Sequence, residues 1–155
     1  MGSANNFVDK LNENVLKVSA LTEDLLVFGI DKITEFIARE VGVDYEDALK
    51  VVYAVLHSSD PRVISFHFRV VSESLKYASQ KAENPVKFAI AYVAEVCKYL
   101  FPLLYMAVRS ALKGERVFQR KEVEGTYLKW LDEMRSEDAQ IEVVDIVKRY
   151  FEVKE

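Results

Sequence analysis

The sequence predicts an all-α fold, a single-domain bundle of about six to seven helices. Three observations lead there. Apolar residues recur at three- and four-residue spacing along nearly the whole chain. Nowhere does a run of Val, Ile or Thr alternate with polar residues between turn signals, as a half-buried strand requires. Glycine and proline are scarce, five and three in 155 residues, and several stand where a helix would start or stop.

Taken in order, residues 1–5 read as a frayed start. A first helix is expected over residues 6–18, with Phe7, Leu11, Val15 and Val18 on one side. Thr22 is expected to cap a second, reaching Val41, that carries Leu25, Ile33, Phe36 and Ile37 inward and stops at Gly42. Asp44 caps a third, with Ala48, Leu49, Val52, Val55 and Leu56 as its apolar face. Asp60-Pro61 places a cap before a proline at the first helical position, where the missing N–H costs nothing, and opens a fourth helix to Lys81. Asn84-Pro85 repeats the device and opens a long fifth helix to Lys113, expected to kink or split at Pro102. Residues 114–125 lack a helical period and read as an exposed loop or a short β-ribbon. Two short helices, 126–135 and 137–151, close the chain with Ser136 as the cap between them.

Half of the residues are apolar and 30% are charged, the balance of a folded globular protein. A lone cysteine, Cys97, excludes an internal disulfide and Cys-rich zinc sites. His57 and His67 are the only histidines, and neither has a glutamate three residues earlier, so a di-metal bundle site is not expected. No glycine-rich phosphate loop occurs. The start of the chain lacks the basic and apolar regions of a signal peptide. The apolar stretch 88–112 is broken by Glu95, Lys98 and Arg109, so no membrane span is expected. Soluble and intracellular is the expectation.

The formal net charge of −4 conceals a strong division. Residues 1–60 sum to −6, residues 61–121 to +7 and residues 122–155 to −5. On the fourth helix Arg62, Arg69 and Lys76 recur every seven residues, with Ser65, Ser72 and Ser79 beside them. At about 100° per residue these six share one arc of about 100°. The opposite arc, Ile64, Phe68, Val71, Leu75, Ala78 and Ala82, is expected to face the core. Lys87, Lys98 and Arg109 recur every eleven residues on the fifth helix, and Arg116, Arg120 and Lys121 lie on the expected loop. Basic side chains interleaved with serine hydroxyls supply donors suited to phosphate oxygens, so these residues form a candidate polyanion surface. The alternative is a solvated face neutralised by the acidic helices.

Residues 33–56 resemble a helix-turn-helix, with Ala38 and Gly42 in place, but the second helix would meet DNA with Asp44, Glu46 and Asp47. Like charge makes a plain helical hairpin the better reading. His57-Ser58-Ser59-Asp60 contains the residue types of a catalytic triad without the chain separation that triads use. His67, between Phe66 and Phe68, reads as a hydrogen-bonded core or boundary residue, and Cys97 as a small packed hydrophobe. Apolar surplus on the fourth and fifth helices, notably Phe66, Val70, Tyr77, Tyr99 and Phe101, marks a candidate self-association interface. The function expected is that of a non-catalytic helical interaction protein without cofactor or small-molecule ligand, with nucleic-acid association as the alternative.

Overall fold

The computed structural model describes residues 3–153. Among the described residues seven α-helices follow one another: α1 Ser3–Glu13, α2 Val15–Val41, α3 Tyr45–Leu56, α4 Pro61–Lys81, α5 Pro85–Lys113, α6 Arg120–Met134 and α7 Glu137–Lys148. No strand occurs among the described residues. The start expected to fray lies partly outside them, and α1 is already helical at Ser3.

Local chemistry fixes several boundaries as the sequence predicts. Asp60 accepts the Arg62 N–H at 2.9 Å, Asn84 the Lys87 N–H at 2.9 Å, and Ser136 the Ala139 N–H at 3.3 Å. Each bond satisfies one donor that the first turn of a helix leaves open. At the other end of α2, Gly42 takes φ 79°, and the Ala38 carbonyl accepts from both Gly42 and Val43 at 2.9 Å. A side chain at that φ would strain the backbone, which is why glycine ends this helix.

Other boundaries differ. The break between α1 and α2 falls at Asn14, so Thr22 lies inside α2 instead of capping it. Its hydroxyl donates to the Val18 carbonyl at 2.6 Å, a bond that satisfies the side chain without ending the helix. Val15, expected inward, is exposed. Only residues 114–119 form the loop, since α6 starts at Arg120 and runs through Gly125; Arg120 and Lys121 therefore stand on a helix. The last helix stops at Lys148, before Phe151.

The core is organised around α5, which packs against α2, α3, α4, α6 and α7. It remains one helix through Pro102, which offers no N–H to the Lys98 carbonyl. By length and composition α5 is the one helix among the described residues apolar enough to cross a membrane. Within its most apolar window 56% of the residues are buried against the other helices, the pattern of a core helix. Phe101, a candidate interface residue from sequence, is fully buried at the centre of an aromatic cluster with Phe36, Tyr105, Tyr127 and Trp130.

Helix α4 is rotated relative to the expectation. Its buried residues are Val70, Ser74 and Ala78, so the assignment of Val70 to an interface is also corrected. Ile64 and Phe68, expected in the core, are exposed, Phe68 at 69%. The short turn at residues 82–84 folds α4 back along α5, and small side chains such as Ser74 and Ala78 let two helices approach closely. Bulkier residues are displaced to the edges of that contact. This rotation creates the site described next.

Candidate functional site

Two surfaces converge on α4. The first is the basic arc. Arg62, Ser65, Arg69, Ser72 and Lys76 are all exposed along one face, as their spacing predicts. Ser79 spends its hydroxyl on the Leu75 carbonyl at 2.8 Å. The basic candidates, inside and outside the arc, differ in their ionic partners. Arg62 is paired with Asp60 at 3.0 Å, Lys87 with Glu83, and Arg120 with Glu124 at 2.9 Å. Among the described residues Arg69, Lys76, Lys98, Arg116 and Lys121 have no carboxylate partner. Lys98 lies over the ring of Tyr99, 5.8 Å from its centroid.

Arg109 leaves the polyanion set altogether. Its side chain is only 19% exposed and pairs with both Glu115 and Glu122, while Nη1 donates to the Tyr105 hydroxyl at 2.8 Å. The guanidinium also lies over the Phe118 ring, 5.6 Å from the centroid. Arg109 thus ties the loop and the first turn of α6 to α5. Arg109→Met keeps the aliphatic stem but strands two carboxylates, and is expected to lower stability by about 1–2 kcal/mol after solvent screening. Chemical denaturation compared at low and high salt measures it; a salt-independent wild-type value with no loss in the variant would contradict the clamp.

The second surface is a groove of about 820 Å³ bounded by α2, α3, the start of α4 and α7. Phe28, Val52 and Ile146 are buried at its base, whereas Val27, Tyr53, Ile64 and Phe68 line it and remain exposed. Carboxylates crowd the side formed by α2 and α7: Asp24, Asp31, Glu142 and Asp145 against the single guanidinium of Arg149. Asp24 and Asp31 stand seven residues apart on α2 and so share a face. Asp31 accepts a hydrogen bond from the Tyr45 hydroxyl and Asp24 from the Tyr150 hydroxyl. Burial, followed by the hydrogen bond to Asp31, raises the Tyr45 phenol above its ordinary range, so it stays a donor. Glu142 accepts from Lys32, tying α7 to α2.

Both histidines line this groove. His57 caps α3 and stacks on Tyr53 with centroids 5.4 Å apart. His67 is half-buried, but its Nδ1 is enclosed without a hydrogen-bond partner, contrary to the bonded residue expected from sequence. Burial first, then His57, lowers its pKa below 6.5. Because the unfolded chain protonates His67 more readily, its contribution to stability is present above pH 6.5 and declines as pH falls through that value. Wild type is therefore expected to lose stability from pH 7 to pH 5 more steeply than His67→Gln, as thermal melts across that range would show. Equal slopes would contradict this.

Cys97 is fully buried in the core, where burial raises its thiol well above the ordinary value. Among the described residues no three His, Cys, Asp or Glu side chains converge as a metal-binding set. The groove residues Val27, Tyr53, Ile64 and Phe68 were not singled out from sequence as a site. The spacing of Ile64 and Phe68 was visible, but it pointed to a core face. Compared with known protein families, with curated proteins and with solved structures, the chain matches none.

Proposed function

We propose that this is a soluble, intracellular, non-catalytic helical assembly protein that works by docking an apolar surface into the groove between α2, α3, α4 and α7. The observation that carries this reading is the grouping of Val27, Tyr53, Ile64 and Phe68, exposed together around one concavity. Isolated exposed apolar side chains are ordinary, whereas a contiguous set around a groove marks a contact surface. Covering it returns roughly 25 cal/mol for each Å² of apolar area removed from water.

Nile red, an uncharged apolar dye, tests the groove without knowledge of the partner. Its fluorescence is expected to rise and shift to the blue on the dilute protein, and Phe68→Glu or Val27→Glu to abolish the change. A dye response absent in wild type, or unchanged in both variants, would reject the groove as the docking surface.

A second reading is favoured by Arg69 and Lys76, which are exposed beside Ser65 and Ser72 and have no carboxylate partner among the described residues. Such an arc would grip phosphate oxygens. Anisotropy titrations with duplex DNA and single-stranded RNA would then show affinity falling with salt with a log–log slope of about −2 to −3, for two or three neutralised phosphates. No binding at low salt, or binding indifferent to Arg69→Glu, would dismiss it.

A further inference from the structure

Resting on the groove reading above, we propose that the occupant of the groove is a second copy of this chain, docked about a two-fold axis so that Phe68 of each copy enters the groove of the other. The two walls of the groove differ in charge. The α4 wall contributes no carboxylate to the lining, and its adjoining exposed face carries Arg69 and Lys76 against the one carboxylate of Glu73, so it is positive on balance. The α2 and α7 wall contributes Asp24, Asp31, Glu142 and Asp145. A two-fold rotation exchanges the walls, so the basic wall of one copy meets the acidic wall of the other. A patch positive on one side and negative on the other is therefore complementary to itself.

The apolar parts match in the same way. Phe68, 69% exposed, projects from α4 with Ile64 one turn before it, and the groove beside it has an apolar base. An aromatic side chain entering a pocket, ringed by polar groups, is the usual form of an energetically dominant contact. The charges needed to flank it are available: Asp145, like Arg69 and Lys76, has no ionic partner among the described residues. Long side chains at Arg69 and Lys76 reach outward beyond Ser65 and Ser72 while the phenyl ring is covered.

Charge reversal gives a test specific to this symmetry. One variant carries Arg69→Glu and Lys76→Glu, the other Asp145→Arg; all three positions are exposed, and far-UV circular dichroism checks that both variants fold. Sedimentation equilibrium is expected to show the wild type dimerising across a concentration series. Each variant alone should dimerise at least tenfold more weakly, since both symmetric contacts become like-charged. An equimolar mixture of the two should regain association, because every contact in the heterodimer again joins opposite charges.

A wild type that stays monomeric throughout, or a mixture no stronger than its components, overturns the proposal. If that monomer binds Nile red and loses it on Phe68→Glu, only the second-copy assignment is overturned and the groove reading stands. If it neither dimerises nor binds the dye, both are overturned. Dimerisation with a matching loss of dye binding at high concentration supports both.

Discussion

Phe101→Ala is expected to lower folding stability by about 3–5 kcal/mol, the cost of emptying a phenyl-sized volume in a packed core. Phe101 has no exposed surface. Its ring lies 5.7 Å from that of Tyr105, 5.6 Å from Tyr127, 6.1 Å from Phe36 and 6.4 Å from Trp130, joining α2, α5 and α6. The Tyr127 hydroxyl donates to the Ala94 carbonyl at 3.1 Å, and a helical carbonyl on α5 cannot follow the ring into the vacated space. Collapse around the cavity is therefore limited, which places the expected cost towards the upper part of that range. Trp130 is the only tryptophan and reports unfolding in urea directly. A loss below about 1 kcal/mol, accompanied by weaker self-association, would return Phe101 to an interface and contradict its place in the core.

The second large effect is expected at Gly29, in the middle of α2. A Cβ there would lie 3.1 Å from Cys97 Sγ and 3.6 Å from Val93 Cγ1 on α5. The glycine therefore permits a close approach of two helices, even though Ala in its place would gain about 1 kcal/mol of helix propensity. Gly29→Val adds two further methyl groups where the Cβ alone already presses on Cys97 Sγ. A cost of about 1–3 kcal/mol follows from overpacking, or a fall in Tm of roughly 2–4 °C for each kcal/mol. Cys97→Ala removes the nearest obstructing atom. In the Gly29→Val background it is expected to cost less stability than in wild type, or to restore some. A double-mutant cycle by thermal denaturation measures this coupling, and strict additivity would contradict the contact.

Legibility in the sequence followed the range over which each feature is determined. Asp60-Pro61, Asn84-Pro85, Ser136 and Gly42 mark helix ends through bonds spanning only a few residues, and all four act where the sequence places them. The basic arc was legible for the same reason, since exposure of Arg62, Arg69 and Lys76 follows from helical phase. Thr22 misled because a threonine hydroxyl bonds equally well to a carbonyl one turn back. Arg109 was phased correctly with Lys87 and Lys98, but its partners Glu115 and Glu122 lie beyond the end of the helix. The face of α4 is legible only in part: Ala78 and Ala82, expected in the core, are buried, whereas Ile64 and Phe68 are exposed because close packing against α5 favours small side chains such as Ser74. The groove was not legible at all. It joins residues of α2 and α7 that lie more than 100 positions apart in the chain, and no local spacing carries that information.

Sedimentation equilibrium on the wild type and Phe68→Glu, side by side, tests most directly whether the exposed α4 edge and the groove beside it serve assembly. The expected result is a wild-type mass that climbs with concentration from 17.8 kDa towards twice that value, and a folded Phe68→Glu variant that holds the single-chain mass throughout. A wild type that never exceeds the single-chain mass, or a variant that dimerises as readily as wild type, would contradict it.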